Sequence, residues 1–213
     1  MIGMRLSASP EIRLAPRVQL SPTQRIAIKQ TLLTLRLALV GAVHGGDYKP
    51  KAQCPKCERA LTALEIIQGF RSDPNDYTTE CTFCHCRFEP RLVWRLGESR
   101  AEIPFYCPSQ VLYQLSGLEG KTPEEIQKEQ PAIYHSVRVH HGNLRRAFEK
   151  VGIQYQYESI VNWKEKVNDY LGKLPDTVIA EIVDLSVKTV RNLRKSLGIK
   201  PFSRRQLLIE DQA

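Results

Sequence analysis

A long apolar stripe near the start of the chain predicts an amphipathic helix. Between Ile26 and Val40, apolar residues recur every three or four positions, the spacing of a helical face. Ser21-Pro-Thr-Gln24 offers a capping box for the first turn, and Gly41 marks the expected end. So much apolar surface must be covered by the rest of the chain or by a second protein. The Gly- and Pro-containing residues 42–53 indicate a linker.

Two later segments have the alternation of strands instead. Apolar residues occupy even positions from Phe88 to Leu96, within a strand expected over 87–96, and a shorter strand is expected over 59–62. Beyond residue 104, prolines, glycines and capping residues divide the chain into short helices joined by tight turns. We expect these helices at 109–115, 123–129, 131–140, 144–151, 163–171, 176–183 and 187–197. The residues expected to cap five of them are Ser109, Thr122, Asn143, Asp176 and Ser186.

Composition and charge narrow the range of partners. The chain has 213 residues, of which 42% are hydrophobic and 25% charged, so it has enough apolar residues for a packed core. The formal net charge of +8 favours a polyanionic partner. Both ends carry the excess, because residues 1–50 and 138–213 are each net +5, whereas residues 51–137 are net −2.

The sequence gives no indication of secretion or of a membrane. Its longest apolar stretch, Thr31–Val43, is interrupted by Arg36 and is too short to span a bilayer. The first residues lack a basic segment followed by an apolar run and a small-residue cleavage site. We therefore expect a cytoplasmic protein, nucleoid-associated or nuclear depending on its source, with no membrane partner.

Four of the six cysteines form two Cys-x-x-Cys pairs with metal-ligand spacing. Cys54 and Cys57 make the first pair, Cys81 and Cys84 make the second, and 23 residues separate the pairs. In a reducing compartment this pattern predicts a closed tetrahedral site with four thiolate ligands. Structural Zn²⁺ is therefore the expected cofactor, with buried free thiols or a redox pair as the alternatives.

The choice of ligands has one ambiguity, since His85 and Cys86 stand beside the second pair and either can substitute by sequence alone. We prefer Cys81 and Cys84 because their two-residue gap matches that of the first pair. Cys86 is then expected to be a buried thiol, and Cys107 a small core residue.

Residues 54–95 resemble a zinc ribbon, in which each cysteine pair is followed by a strand. The resemblance implies a metal-stapled unit over residues 51–100. It does not specify the partner, because ribbons serve nucleic-acid binding, protein binding and scaffolding. The neutral-to-acidic charge of this region favours a protein partner at the ribbon, and the N-terminal helix is a second candidate surface for one.

Residues 122–153 are similar to the short helical repeats associated with homing endonucleases and some regulators. The similarity lies in the closing stretch from His141 to Ile153. Where those repeats typically have an aromatic residue, a serine and a tryptophan, this chain has His141, Asn143 and Leu144. The resemblance implies a nucleic-acid-binding face that includes Arg138, Arg145 and Arg146.

Residues 160–202 resemble a homeodomain-like helix-turn-helix of the resolvase and regulator type. In that family the third helix enters the major groove. Val190, Leu193 and Leu197 are expected to face the bundle. The residues that match are Pro175-Asp176, Ile179-Ala180, Leu185-Ser186, Val190, Arg194 and Leu197-Gly198-Ile199. The resemblance implies base-facing positions for Lys188, Thr189, Arg191 and Asn192, and phosphate-facing positions for Arg194 and Lys195.

No motif indicates an enzyme, since the sequence contains no phosphate loop, dinucleotide fingerprint or nucleophile motif. The adjacent histidines His140 and His141 lack an accompanying carboxylate pattern, and a basic helical surface is their expected role. We expect a transcription regulator that binds double-stranded DNA. An RNA- or ribosome-associated factor and a DNA-binding accessory of a mobile element are the alternatives.

The expected fold class is mainly α with a small β zinc ribbon, a multi-module α+β chain that ends in a three-helix helix-turn-helix. The expected segments are a basic arm (1–20), a helix and linker (21–50), the ribbon (51–100), a helical DNA-binding-like unit (104–154), the helix-turn-helix (158–205) and a tail (206–213).

Overall fold

The computed structural model describes residues 20–156, 160–204 and 207. The predicted arm except Leu20, residues 157–159, Arg205 and nearly all of the tail lie outside the described residues. Within them, helices and short antiparallel strands confirm the α+β class.

The elements follow the chain in this order. The strands are β1 (Asp47–Gln53), β2 (Ala60–Leu61), β3 (Thr79–Glu80), β4 (Arg87–Phe88), β5 (Arg91–Leu96) and β6 (Ser99–Pro104). The helices are α1 (Pro22–His44), α2 (Ala63–Gly69), α3 (Pro108–Leu115), α4 (Pro123–Glu129), α5 (Pro131–His141), α6 (Leu144–Lys150), α7 (Trp163–Val167), α8 (Asp176–Ile182) and α9 (Val187–Ser196). Short 3₁₀ turns follow α3 and α7 at Ser116–Leu118 and Asn168–Tyr170.

Helix α1 begins at the predicted capping box but ends later than predicted. The Ser21 hydroxyl accepts a hydrogen bond from the Gln24 backbone N–H at 3.2 Å, and the Gln24 side chain accepts one from the Ser21 N–H at 2.9 Å. Gly41 lies inside the helix, where a Cβ atom would stand 2.2 Å from the Gly46 carbonyl oxygen. Gly41 therefore permits a close backbone approach, and Gly45, with φ of 79°, follows the last turn.

The apolar stretch Thr31–Val43 was predicted to be too short to span a bilayer, but α1 as a whole is long and apolar enough to cross one, as the core helices of soluble proteins also can be. Its C-terminal half is packed within the protein, with Leu39, Val40 and Val43 buried. The Ile26 side chain near its start is exposed. The expected absence of a membrane partner stays a prediction.

A four-stranded antiparallel sheet of order β2-β1-β5-β6 stands at the centre of the first half. The predicted linker over residues 42–53 is wrong in its second half, because residues 47–53 form β1 and pair with β5 along five residues. Side chains of β1 alternate between exposed and buried. At Pro50 the strand pairs with β5 on one side only, because β2 pairs with Ala52 and Gln53 alone, and proline is tolerated in a strand at such an edge.

The predicted single strand over 87–96 is divided into two. Glu89-Pro90 separates β4, which pairs with β3, from β5, which pairs with β1 and β6. Proline lacks a backbone N–H, so it interrupts a strand that must pair on both sides. Strand β6 and helix α2 were not predicted; α2 begins at a capping box between Thr62 and Glu65.

Two apolar clusters form the core of the described residues. One contains buried residues from α1, the sheet, both cysteine pairs and the C-terminal helices α7–α9. The other is built from α3–α6 and includes Phe148 stacked on Tyr155 at 4.4 Å between ring centroids. Residues from the predicted segments 21–50, 51–100 and 158–205 therefore share one cluster.

Contacts between α5, α6 and α8 join the two clusters. Gly142, with φ of 83°, lets the end of α5 approach α8, since a Cβ atom there would lie 3.0 Å from the Glu181 backbone. The Asn143 amide donates to the Glu181 carbonyl oxygen at 2.6 Å. Arg36 of α1 donates to the Val139 carbonyl at 3.1 Å and pairs with the Glu181 carboxylate at 3.1 Å.

His141 is buried and His140 half-buried, so their predicted place on a basic surface is wrong, and His135 of the same helix is buried too. Burial lowers the pKa of His135 and of His140 to about 3, and that of His141 to about 4. His140 donates from Nε2 to the Tyr106 carbonyl at 2.8 Å and stacks on Phe105. Burial lowers the pKa of His44 in α1 to about 3 as well. These imidazoles are neutral parts of the core.

The stability of the fold is expected to decrease as the pH falls below about 6.5. Between that pH and about 3, the unfolded chain binds protons at these histidines and the folded chain does not, so each group removes up to about 1.4 kcal/mol per pH unit. Urea unfolding at several pH values, with excess zinc and a measured metal content, tests this. His140→Gln is expected to reduce the pH dependence, and His85→Gln, at an exposed imidazole, serves as its control. Equal pH dependence in both variants would contradict the assignment.

Candidate metal centre and basic helix

The four predicted cysteine ligands converge at one point. The Sγ atoms of Cys54, Cys57, Cys81 and Cys84 all lie within 4.8 Å of one another. Those of Cys54 and Cys84 are 3.4 Å apart, and those of Cys57 and Cys81 are 3.7 Å apart. A tetrahedral zinc ion with bonds of about 2.3 Å separates its sulfur ligands by about 3.8 Å. The cluster can therefore hold a metal ion such as zinc.

The two cysteine pairs have matching backbone turns. In the first, the Cys54 N–H donates to the Arg59 carbonyl at 2.9 Å and the Glu58 N–H donates to the Cys54 carbonyl at 2.9 Å. In the second, Cys81 and His85 make the equivalent bonds, to the Cys86 and Cys81 carbonyls. Glu58 and His85 take positive φ values of 58° and 59°. The repeated turn aims both pairs of sulfurs at one point.

Backbone N–H groups favour a thiolate at the first cysteine of each pair. Burial opposes ionisation of Cys54, but N–H donors from Cys57 and Lys56 lower the pKa of its thiol to about 6. N–H donors from Cys84 and Phe83 likewise lower the pKa of Cys81. A backbone donor also reaches Cys84, yet burial and the neighbouring sulfurs raise its pKa to about 12. Four thiolates this close require a cation, which the donor set fits.

The ambiguity over His85 and Cys86 is settled by position. His85 is exposed, and its Nδ1 lies 2.8 Å from a Glu80 carboxylate oxygen. Cys86 is half-buried, and its Sγ lies 3.8 Å from the Arg87 carbonyl oxygen. Neither belongs to the sulfur cluster. Neither His85 nor Cys86 therefore takes the place of one of the four clustered cysteines.

Cys107 is buried, as predicted, but it also caps a helix. Its Sγ accepts from the Gln110 backbone N–H at 3.4 Å, and the Gln110 side chain accepts from the Cys107 N–H at 3.1 Å. The predicted cap at Ser109 is therefore wrong by two residues. Pro108 was the available signal, because proline favours the first position inside a helix.

Helix α9 presents most of the predicted nucleic-acid-binding residues to solvent. It is capped by the Ser186 hydroxyl, which accepts from the Thr189 N–H at 3.1 Å. Val190 is buried and Leu193 half-buried, as predicted, whereas Leu197 is exposed and does not face the bundle. The residues that the structure leaves exposed are Lys188, Thr189, Arg191, Asn192 and Lys195.

Arg194 is not on that exposed face, so its predicted role at phosphate is corrected. The Arg194 side chain is only 6% exposed. Its Nε donates to Asp176 Oδ1 at 2.9 Å, and its Nη2 donates to Asp176 Oδ2 at 3.0 Å. A third bond reaches the Ile199 carbonyl at 3.0 Å. Hydrogen bonding to Asp176 raises the pKa of Arg194. Asp176, predicted as a helix cap, instead holds α9 against the start of α8.

The arginines of the predicted helical repeat are also engaged within the protein. Arg145 and Arg146 each pair with Asp184, at 3.0 and 3.1 Å, and Arg146 donates to the Leu185 carbonyl at 3.1 Å. Burial raises the pKa of Asp184 although both guanidinium groups oppose this. Asp184 has a φ of 54° in the turn between α8 and α9. Arg145 and Arg146 thus attach α6 to that turn.

Arg138 is buried, which corrects its predicted place on a nucleic-acid-binding face. Its guanidinium carbon lies 3.9 Å from the centre of the Tyr134 ring, and it donates to the Tyr134 hydroxyl. A further contact reaches the Tyr48 hydroxyl at 3.5 Å. The residue links α5 to β1 and has too little exposed surface to bind a ligand in solvent.

No family model, curated protein or solved structure matches this chain. Its function is therefore inferred from the geometry of its own residues, namely the sulfur cluster and the exposed side of α9.

Proposed function

We propose that the chain is a zinc-stabilised DNA-binding protein that inserts α9 into the major groove of duplex DNA, most simply as a transcription regulator. The observation that carries the proposal is the exposed side of α9, which holds basic and polar side chains without a single acidic one. Among the described residues, the side chains of Lys188, Arg191 and Lys195 make no hydrogen bond or ion pair. Their donors are available to a polyanion.

The arrangement of this face supports a division of roles. Arg191 and Asn192 are adjacent and exposed, and these residue types make paired hydrogen bonds to guanine and adenine edges respectively. Lys188 and Lys195 lie at either side of them along the helix and suit contacts with phosphate. The pairing of Arg194 with Asp176 supports the proposal indirectly, because it fixes the rotation of α9 on α8.

The sulfur cluster supports this function because a metal bound there would stabilise the core against which α8 and α9 pack. Cys54 and Cys81 belong to the same apolar cluster as Ile179 of α8 and Val190 of α9. We assign the metal as zinc and the segment around it as a zinc ribbon, and we assign α7–α9 as the helix-turn-helix. Metal binding and the orientation of α9 are then linked through one core.

Substitutions on α9 are expected to separate base reading from phosphate binding. Arg191→Ala or Asn192→Ala is expected to lose about 1–3 kcal/mol of discrimination between a selected duplex and a scrambled one. Lys195→Ala is expected to weaken binding to both duplexes equally and to reduce the salt dependence. Fluorescence anisotropy measures both effects. Lys128→Ala, at an exposed lysine of α4, is the control.

Selection of bound sequences from a random duplex pool is the experiment that tests the function. Recovery of one enriched motif supports the regulator proposal. If structured RNA displaces duplex DNA and no duplex motif is enriched, an RNA- or ribosome-associated role replaces it. A motif confined to the ends of a mobile element would favour a role as an accessory of that element.

A further inference from the structure

Two basic clefts lie beyond the end of α9, and the proposed function does not use either of them. The first has a volume of about 160 Å³ and lies where the Leu171–Lys173 turn meets the segment after α9. Lys173 and Lys200 are exposed at this cleft, and Phe202 forms part of its wall. Its lining contains no acidic residue among those the structure describes.

The second cleft, also about 160 Å³, lies between the first half of α1 and the same C-terminal segment. Arg25 and Lys29 of α1 and Arg204 of the segment line it, over a floor formed by Leu20, Ile28 and Leu32. All three cations are exposed, and no acidic side chain is present in the lining that the structure describes. Three cations without a counter-ion among the described residues favour an anionic ligand.

Both clefts are connected to α9 by a short, fixed segment. The Ile199 N–H donates to the Arg194 carbonyl at 3.1 Å, and its own carbonyl accepts from the Arg194 guanidinium. Gly172, with φ of 78°, packs against this point, since a Cβ atom there would lie 2.9 Å from both Ile199 and Lys200. The same buried arginine that fixes α9 therefore also fixes the start of the segment that carries Lys200 and Arg204.

We propose that these clefts bind the phosphate backbone of duplex DNA that flanks the bases contacted by α9. The proposal rests on the proposed function and extends it from one helix to a longer track. From Lys200 to Arg204 the chain spans at most about 14 Å, a distance that covers about four base-pair steps of 3.4 Å along the axis of a duplex. The track runs from α9 through Lys173 and Lys200 to the three cations around the start of α1.

The contacts of this track are with phosphates, so they add electrostatic attraction but do not distinguish one base sequence from another. Lysine and arginine at phosphates add affinity, and they make that affinity depend on salt. The track therefore increases the occupancy of any duplex long enough to reach it, whereas α9 alone distinguishes sequences. A duplex that ends at the α9 contact is expected to bind more weakly than one that continues past it.

The salt dependence of DNA binding tests the track. A triple variant, Arg25→Gln, Lys29→Gln and Arg204→Gln, is expected to reduce the slope of log affinity against log salt by about 2–3, because each phosphate that a cation neutralises adds about 0.9 to that slope. Preference for the selected duplex over a scrambled duplex is expected to remain unchanged. Thermal unfolding of the variant checks that these exposed substitutions leave the fold intact.

A matched variant with the same change of charge provides the control. Arg91→Gln, Arg95→Gln and Lys128→Gln remove three exposed cations that lie outside both clefts. If the two triple variants give equal slopes, the track is wrong while the role of α9 stands. If instead Arg191→Ala keeps full base preference, the proposed function is wrong, whatever the slopes. A wild-type protein that binds no duplex overturns both.

Discussion

Replacing Cys54 with serine is expected to abolish metal binding and the cooperative unfolding of much of the chain. Cys54 is one of four sulfurs within 4.8 Å, and it is buried in the cluster that contains α1, the sheet and α7–α9. Where a structural zinc site forms only in the folded state, the binding energy is folding energy. The expected loss is comparable with the whole stability of an ordinary domain, about 5–15 kcal/mol.

Native mass spectrometry and thermal unfolding measure this effect. The wild-type chain is expected to carry one zinc ion, and a strong chelator is expected to unfold it as the substitution does. Cys86→Ser is the matched control, because Cys86 is a neighbouring cysteine outside the sulfur cluster. Loss of metal from Cys86→Ser but not from Cys84→Ser would contradict the ligand assignment. A wild-type chain that keeps its fold without metal would contradict the structural role.

Local signals in the sequence predicted the elements whose ends are marked by specific residues. The capping boxes at Ser21 and Thr122 and the caps at Asn143 and Ser186 all place helix starts where the structure has them. Each of these signals is a bond between residues three apart, so it needs no knowledge of the rest of the fold. The cysteine ligands were also predicted correctly, because the two cysteines of each pair are three residues apart and their spacing is likewise a local signal.

Features that depend on tertiary partners were missed. Strand β1 alternates correctly, but Gly45-Gly46 and Pro50 suggested a linker, and only its pairing with β5 makes it a strand. Arg194 lies four residues after Val190, so helical spacing places it beside the buried face, but spacing alone does not give a cation there a buried partner. Its burial depends on Asp176, eighteen residues earlier in the chain. The Asp176 carboxylate at the start of α8 indicates a buried partner for Arg194 only once the packing of α8 against α9 is known.

The shared core changes how the basic regions relate to one another. Helix α1 contributes to the same apolar cluster as α7–α9, and Arg36 connects it to α5 and α8. The basic start of α1 and the basic side of α9 therefore belong to connected parts of one structure. This connection is why substitutions near residue 25 are expected to alter the salt dependence of a site near residue 191.

Replacing Asp176 with alanine is expected to destabilise the C-terminal helices by roughly 2–4 kcal/mol. The substitution leaves the Arg194 guanidinium buried without its carboxylate. The expected loss of stability lies between the contribution of one hydrogen bond to a charged group and the cost of breaking a buried ion pair. Urea unfolding measures the change. Lys195→Met is the control, since Lys195 is exposed on the same helix and its loss is expected to leave stability within about 0.5 kcal/mol.

The double variant Asp176→Ala with Arg194→Met separates a structural role from a phosphate contact. Removing both charges is expected to recover part of the stability, because an apolar pair leaves no buried charge without a partner. Its DNA affinity is then expected to follow its stability, with the salt slope unchanged. If Arg194→Met is as stable as the wild type but reduces the salt slope by about 0.9, Arg194 contacts phosphate as the sequence predicted, and the buried pair is not its function.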